Sequence, residues 1–455
     1  MNIICVVTDT LRADYLPTYG NSQVIAPQLS AFAEAAIVFE DCHAASFPTV
    51  PARADIATGR FTFTYLTWGP LPQDEITLAN LLTKAGYKTM GIGDTPFLIR
   101  NGYGYDRGFD DFLWIRGQRE ASGRPDVTST WSCEDDRFAP QTFKAAIDWL
   151  ERNHRDKFFL YIDAWDPHEP WDPPAHYVLP YLPDYQGEQV YPAYWDWQDA
   201  GYTPRDMEVA KATYMGEISM VDRWFGLLLE RLHSLGIYDD TAILFVSDHG
   251  FYFGEFGIFG KRRFRWPDNS IPVMEAMARF KQGAISYWCP THNELSHVPL
   301  FMRIPGWEHR RVDGLVSIPD MMPTMLELAG VEIPARVQAR SLLPLARGEV
   351  ERLHDIVVTS QSLADVAGNT TLIVDDSERV VVEVSPSTIR DGQWDFLYSL
   401  AGEKVELYDA VNDPGHKQDL AAQKPDVCAM MHAKFTRWMA QMDSPEEYAA
   451  PRQSL

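Results

Sequence analysis

The chain opens on a continuous apolar run, Asn2 to Val7, rich in β-branched residues and ending in Thr8-Asp9-Thr10. A short apolar run without polar alternation predicts a strand covered on both faces, as in a parallel sheet, whose carboxyl end delivers a carboxylate. Lys88–Ile92, Lys157–Ala164, Ala242–Val246 and Pro299–Ile304 predict further strands. Between them, apolar residues recur at helical spacing over Pro27–Ala36, Leu78–Ala85, Gln141–Asn153, Asp206–Leu235 and Pro319–Ala329. In the longest of these the stripe is Ile218, Val221, Phe225, Leu228 and Leu232. Strands alternating with helices predict the α/β class, with a large, mixed but mostly parallel sheet sandwiched by helices. From about residue 351 the pattern shortens to Asp355–Thr359, Thr370–Val374, Val380–Val384 and Phe396–Leu400, followed by a helix over Val427–Met439. This predicts a small C-terminal antiparallel sheet with one helix, and a division into a large domain (1–350) and a small subdomain (351–455).

Ligands collect at the carboxyl ends of strands in such sheets. Asp9, His168 and Asp248 all fall just after predicted strand ends, so the fold can bring them together. Asp248 and His249 are adjacent and offer a carboxylate and an imidazole to one metal ion. Thr49 lies just before Pro51, a residue favoured at the first helical position. Its hydroxyl is expected at a helix N-terminus, where amides and dipole favour an anion, although the same residue also reads as a plain helix cap. Arg53 follows one helical turn later. Two long irregular segments stand out: His176–Thr203, rich in Tyr, Trp and Pro, and Arg262–Ser296, which begins Arg-Arg-Phe-Arg-Trp. Loops of that length are usually lids or interfaces. The first suggests an aromatic pocket wall or an interface between copies of the chain. The second could carry Arg262, Arg263 or Arg265 toward an anionic substrate.

Composition narrows the partners. With 40 basic and 64 acidic residues in 455, the formal net charge is −24, a mean field that repels nucleic acid and anionic membranes. A small anionic ester remains compatible, because local cations in a cleft override the average. No run of about 18 apolar residues predicts a membrane span. The five cysteines are scattered, without CxxC spacing, and no secretory signal is legible, so a reducing cytoplasmic setting is expected.

Seven segments in order, Val7–Asp14, Thr49–Arg53 with Thr58–Arg60, Gly104–Asp110, Asp166–Pro170, Ser247–Gly250 with Gly260-Lys261, His297–Leu300, and Leu407–Asp409 with Asp413-Pro414, together resemble the sulfatase family, within the alkaline phosphatase superfamily. Val7-Thr8-Asp9-Thr10 resembles its first metal-ligand motif, and Thr49-Val50-Pro51-Ala52-Arg53 with Thr58-Gly59-Arg60 resembles its nucleophile signature. The resemblance implies an alkaline-phosphatase-like fold and a metal held by Asp9, Asp248, His249 and Thr49. It implies catalytic roles for Thr49, Arg53, His168 and Lys261, with Thr10, Thr95 and His297 near the substrate.

Residue 49 departs from the family pattern. Sulfatases carry Cys or Ser there, oxidised to formylglycine, whereas a secondary alcohol such as Thr can only give a ketone. No formylglycine is therefore expected. Thr at this place, and Gly93-Asp94-Thr95-Pro96 where many sulfatases place a lysine, are more similar to the phosphonate monoester hydrolase and phosphodiesterase branch. His249 and the single carboxylate at 9–10 favour one Mn²⁺ or Zn²⁺ over Ca²⁺ or Mg²⁺. The expected activity is hydrolysis of a phosphodiester or phosphonate monoester through a Thr nucleophile. A sulfuric ester hydrolase and a phosphoryl-type transferase are the alternatives.

Overall fold

The computed structural model describes residues 1–95, 97–99, 102–115, 131–265, 285–363, 370–374, 377–383, 386–400 and 405–455. Eight strands build the central sheet: β1 (Asn2–Thr8), β2 (Ile37–Phe39), β3 (Lys88–Gly93), β4 (Asp111–Trp114), β5 (Phe158–Ala164), β6 (Thr241–Ser247), β7 (Leu300–Arg303) and β8 (Arg310–Val312). They lie in the order β8-β2-β7-β6-β1-β5-β3-β4. Every pairing is parallel except the two made by β7, which runs against β2 and β6. The sheet is thus mixed and mostly parallel, as the alternation of strands and helices predicts. The strands β2 and β8 are too short to leave a readable apolar run, and β4 is largely exposed.

Side chains alternate across a strand, and β1 shows why both faces need cover. Ile4 and Val6 pack with Phe32, Phe143 and Phe225, from helices α1 (Pro27–Glu34), α4 (Phe138–Asn153) and α5 (Pro204–Ser234). Ile3, Cys5 and Val7 pack with Ile56, Leu82 and Met325, from α2 (Thr49–Thr58), α3 (Leu78–Lys84) and α6 (Met321–Ala329). Each of these fully buried apolar side chains stabilises the fold by about 1.5–3 kcal/mol. Register fixes the working edge of the sheet. Thr8 pairs with Ala164 on one side and Ser247 on the other. The carboxyl ends of β1, β5 and β6 are therefore level, and Asp9 and Asp248 leave from the same edge.

Val357–Thr359, Ser387–Arg390, Trp394–Tyr398 and Glu406–Asp409 form the small antiparallel sheet. It packs Phe396 and Leu407 under Phe435 and Met439 of α7 (Pro425–Gln441). The expected strands near 370 and 380 do not join it. They form a hairpin, Thr370–Val374 with Ser377–Glu383, whose second strand pairs in parallel with Ile285–Trp288. Hydrophobic pattern marks a strand but leaves its partner open, and here the hairpin edge takes one from the second long segment. Among the described residues, no helix is long and apolar enough to cross a membrane.

Candidate active site

The site starts from the two adjoining strand ends. Amides of Thr10 and His249 both donate to Asp248 Oδ1, at 2.9 and 2.7 Å. Thr10 Oγ1 donates to Asp9 Oδ1 at 2.6 Å. Thr10 reaches this pose at φ 67°, a region β-branched residues seldom enter. The Tyr214 hydroxyl, 2.8 Å from the Thr10 carbonyl, helps hold it there. At residue 250 no side chain fits: a Cβ would overlap the Glu294 carbonyl oxygen. This tight turn aims His249 inward, where Phe47 packs on its ring at 4.8 Å.

His249 has a defined tautomer. Its Nδ1 lies 3.0 Å from the Gly250 carbonyl, which only accepts, so Nδ1 carries the proton. The lone pair of Nε2 then faces Thr49 Oγ1 at 3.3 Å. One ligand atom each from Asp9, Asp248 and His249 lies within 4.8 Å of the other two, and all three residues are buried. Two carboxylates and an unprotonated imidazole nitrogen fit a single borderline divalent ion.

Thr49 opens α2, with Pro48 as its cap residue, so Pro51 is the third helical residue rather than the first. One turn on, Arg53 is 1% exposed and meets three carboxylates. Nη1 donates to Asp9 Oδ2 at 2.9 Å and closely to Asp248 Oδ2. Nε and Nη2 form a fork on Asp163, at 3.1 and 2.9 Å. Lys261 Nζ adds a cation 3.7 Å from Asp9 Oδ1 and 3.8 Å from Glu169 Oε2. Burial opposes charge on Asp9, but Arg53 and then Lys261 outweigh it and hold the carboxyl well below its usual range. Burial pushes Asp248 up, with Asp9 adding to the rise against Arg53. Burial, reinforced by Lys261, keeps His249 in its neutral form.

His168 stands beside this group with its ring stacked on Trp165, 3.9 Å between centroids. Burial moves its pKa down, Lys261 adds to that, and Glu169 opposes both. The structure therefore gathers Asp9, Thr10, Thr49, Arg53, His168, Asp248, His249 and Lys261. Thr95 takes a different place: its hydroxyl donates closely to Asp163 Oδ1. His297 makes its contacts elsewhere, with Nε2 2.8 Å from the Glu40 carbonyl and its ring against Tyr19 and His43. The side chains of Arg263 and Arg265, and residues 266–284 of the second long segment, lie outside the described residues. Arg262 is close enough to act electrostatically on Tyr194.

Sequence reasoning passed over Asp163 and Glu169. A carboxylate as the penultimate residue of a buried strand, in Tyr161-Ile162-Asp163-Ala164, is the signal that could have found the first. Tyr161 Oη donates to Asp163 Oδ2 at 2.7 Å.

A family model described as Sulfatase matches residues 1–331. The chain belongs to the sulfatase family. The enzyme is 26% identical over 428 residues to an arylsulfatase of Clostridium perfringens, covering 80% of this chain and 82% of that one. It is 25% identical over 432 residues to an N-acetylglucosamine-6-O-sulfatase of Bacteroides thetaiotaomicron, covering 76% and 71%. Its fold superimposes on the phosphonate monoester hydrolase of Agrobacterium radiobacter with a TM-score of 0.74, over 97% of this chain and 96% of that one, at 20% identity. Sulfatase-family enzymes are metal-dependent ester hydrolases, and this chain carries the residues to hold a divalent metal.

Proposed function

We propose that the enzyme hydrolyses a phosphodiester or a phosphonate monoester, with Thr49 as the nucleophile. The observation that carries this reading is the position of Thr49 Oγ1. It sits at the head of α2, 3.3 Å from the lone-pair nitrogen of His249 and beside the carboxylates of Asp9 and Asp248. The surrounding charge supports a substrate with one negative charge. Arg53 and Lys261 stand against Asp9, Asp163, Asp248 and Glu169, a formal balance of −2 that a divalent cation brings to zero, so the site offers no net positive charge to match a second negative charge on the ester.

Asp9, Asp248 and His249 would hold one divalent ion, with Thr49 at its side. Their mixed oxygen and nitrogen set favours Mn²⁺ or Zn²⁺ over Ca²⁺ or Mg²⁺. When bound, such an ion acidifies a neighbouring hydroxyl and draws charge from a non-bridging oxygen. The chain's own residues do the rest. Thr49, its hydroxyl proton released to solvent, attacks phosphorus in line, and the Oγ–P bond forms as the bond from phosphorus to the leaving oxygen breaks. His168 gives a proton to the leaving oxygen, then takes one from the water that releases the product. Lys261 faces the transferred group. Arg53, saturated by three carboxylates, fixes the ligands and braces Thr49 through its carbonyl, 3.4 Å away.

A second reading is a sulfuric ester hydrolase, favoured by the names of the arylsulfatase and N-acetylglucosamine-6-O-sulfatase relatives. It requires direct attack by Thr49 on sulfur. A rate panel on metal-reconstituted protein decides between them, using an aryl sulfate, a phosphate monoester, a phosphodiester and a phosphonate monoester, with Thr49→Ala as control. Dominant diester or phosphonate turnover, lost in the control, supports the first reading. Dominant sulfate turnover replaces it with the second.

A further inference from the structure

Glu169 has a use that neither the motif match nor the proposed chemistry assigns. His168 Nδ1 lies 2.5 Å from the backbone carbonyl of Glu169 and 3.3 Å from its Oε2. Both oxygens only accept, so Nδ1 is the protonated nitrogen and Nε2 is the working atom. With Trp165 stacked on the ring face, the imidazole is constrained in tautomer and in plane.

The carboxyl group is itself held. Glu169 Oε1 accepts a close hydrogen bond from the Tyr194 hydroxyl. Oε2 is buried and has no hydrogen-bond partner among the described residues, which leaves its charge to bear on His168 and on Lys261. Tyr194 comes from the aromatic segment 176–203, and three features lock it. Its φ is 54°. Its amide donates to the Phe259 carbonyl at 3.0 Å. Its Cα would lie only 2.9 Å from a Cβ at Gly260, so only glycine allows the approach. Gly260 directly precedes Lys261. Tyr194 thus ties the aromatic segment, the histidine loop and the backbone leading into Lys261 together.

Building on the proposed hydrolysis, we infer that Glu169, held by Tyr194, is a positioning residue for His168. Its backbone carbonyl holds the Nδ1–H, and its carboxylate, 3.3 Å from Nδ1, balances the imidazolium before transfer. The Nε2 proton then passes to the leaving oxygen as its bond to phosphorus or sulfur breaks, and a neutral imidazole remains with Nδ1–H still on Glu169. The aromatic segment acts through this contact as a brace for the acid.

The test is the dependence of the loss on leaving group. An alkoxide needs the proton, while a 4-nitrophenolate leaves without it. On the metal-reconstituted enzyme, Glu169→Gln and Tyr194→Phe are compared with wild type on matched alkyl and 4-nitrophenyl esters of whichever class is turned over. General acids contribute about 10²- to 10⁴-fold, so the alkyl ester should lose at least tenfold more than the nitrophenyl ester in Glu169→Gln. Tyr194→Phe, which removes one hydroxyl, should show the same direction with a smaller size. Equal losses on both esters would overturn the inference while leaving the proposed hydrolysis standing. If wild type turns over neither ester, the proposed hydrolysis fails, and ¹⁵N shifts of His168, assigned with His168→Gln, decide the positioning separately. Followed across pH, an imidazolium of His168 that loses its proton at lower pH in Glu169→Gln than in wild type supports it, and an unchanged titration overturns it.

Discussion

Arg53 and Asp163 meet through a two-point fork, at 2.9 and 3.1 Å, with neither side chain open to solvent. Asp163 receives Thr95 and Tyr161 hydroxyls on the same carboxylate, so its position does not depend on Arg53 alone. The fork leaves Nη1 as the part of the guanidinium that faces Asp9 and Asp248. Removing one partner of a buried ion pair costs about 3–5 kcal/mol, because the other charge stays buried and under-compensated. Asp163→Asn should therefore lower thermal stability by about 3 kcal/mol and reduce turnover at least tenfold. Tyr161→Phe and Thr95→Val each remove one hydrogen bond and should cost about 1 kcal/mol. Denaturation curves on the three variants check the order. Equal effects would mean that the fork carries no special weight.

Thr49 gives the sharpest activity prediction. Thr49→Ala keeps the helix but removes the nucleophile, and turnover should fall by more than about 10³-fold. Thr49→Ser keeps the hydroxyl and loses only the methyl group, so it should retain activity within about tenfold. Covalent labelling with substrate, followed by mass spectrometry, should find the adduct on residue 49 in wild type and in Thr49→Ser. An adduct on another residue would remove Thr49 from its role.

Adding a divalent ion should stabilise the fold, since the donor atoms of Asp9, Asp248 and His249 are already gathered within 4.8 Å. At a ligand concentration 100 times Kd the gain is about 2.7 kcal/mol. Melting after chelation and again after adding Mn²⁺ or Zn²⁺ should show a rise. Asp248→Asn should abolish it, because the amide is a poor substitute for the ligand carboxylate. A rise of the same size in the variant would place the ion elsewhere.

The order of these residues along the chain was a good guide to some contacts and a poor one to others. Asp9 and Asp248 follow apolar runs, and adjoining parallel strands with level ends force them together, so their convergence was legible. Thr49 and Arg53 were legible as one turn of a helix. Asp163 was not, because its partner Arg53 is 110 residues distant and a lone carboxylate in a buried strand does not announce which cation it meets. His297 misled for the opposite reason. It precedes β7, but position beside a strand does not say which way a ring turns, and this one turns to Glu40 and His43. The same limit applies to the hairpin of 370–374 with 377–383, where the short apolar runs gave the strands and tertiary pairing chose the sheet.

Asp222 carries a pH-dependence that lies away from the chemistry. From α5 it accepts the amides of Leu29 and Gln28, at 2.6 and 3.2 Å, at the head of α1. Burial raises its pKa to about 7 against the pull of those two amides. A folded pKa above the unfolded value near 3.9 means that the native state binds the proton more tightly. The contribution to stability is then complete below about pH 4, declines as pH rises toward 7, and is lost above it. Asp222→Asn mimics the neutral form and removes that slope. Urea denaturation at pH 5 and pH 8 should show the variant gaining stability relative to wild type as pH rises. If the difference between the two proteins stays constant across that interval, Asp222 is ionised in the fold, and the amides of α1 outweigh its burial.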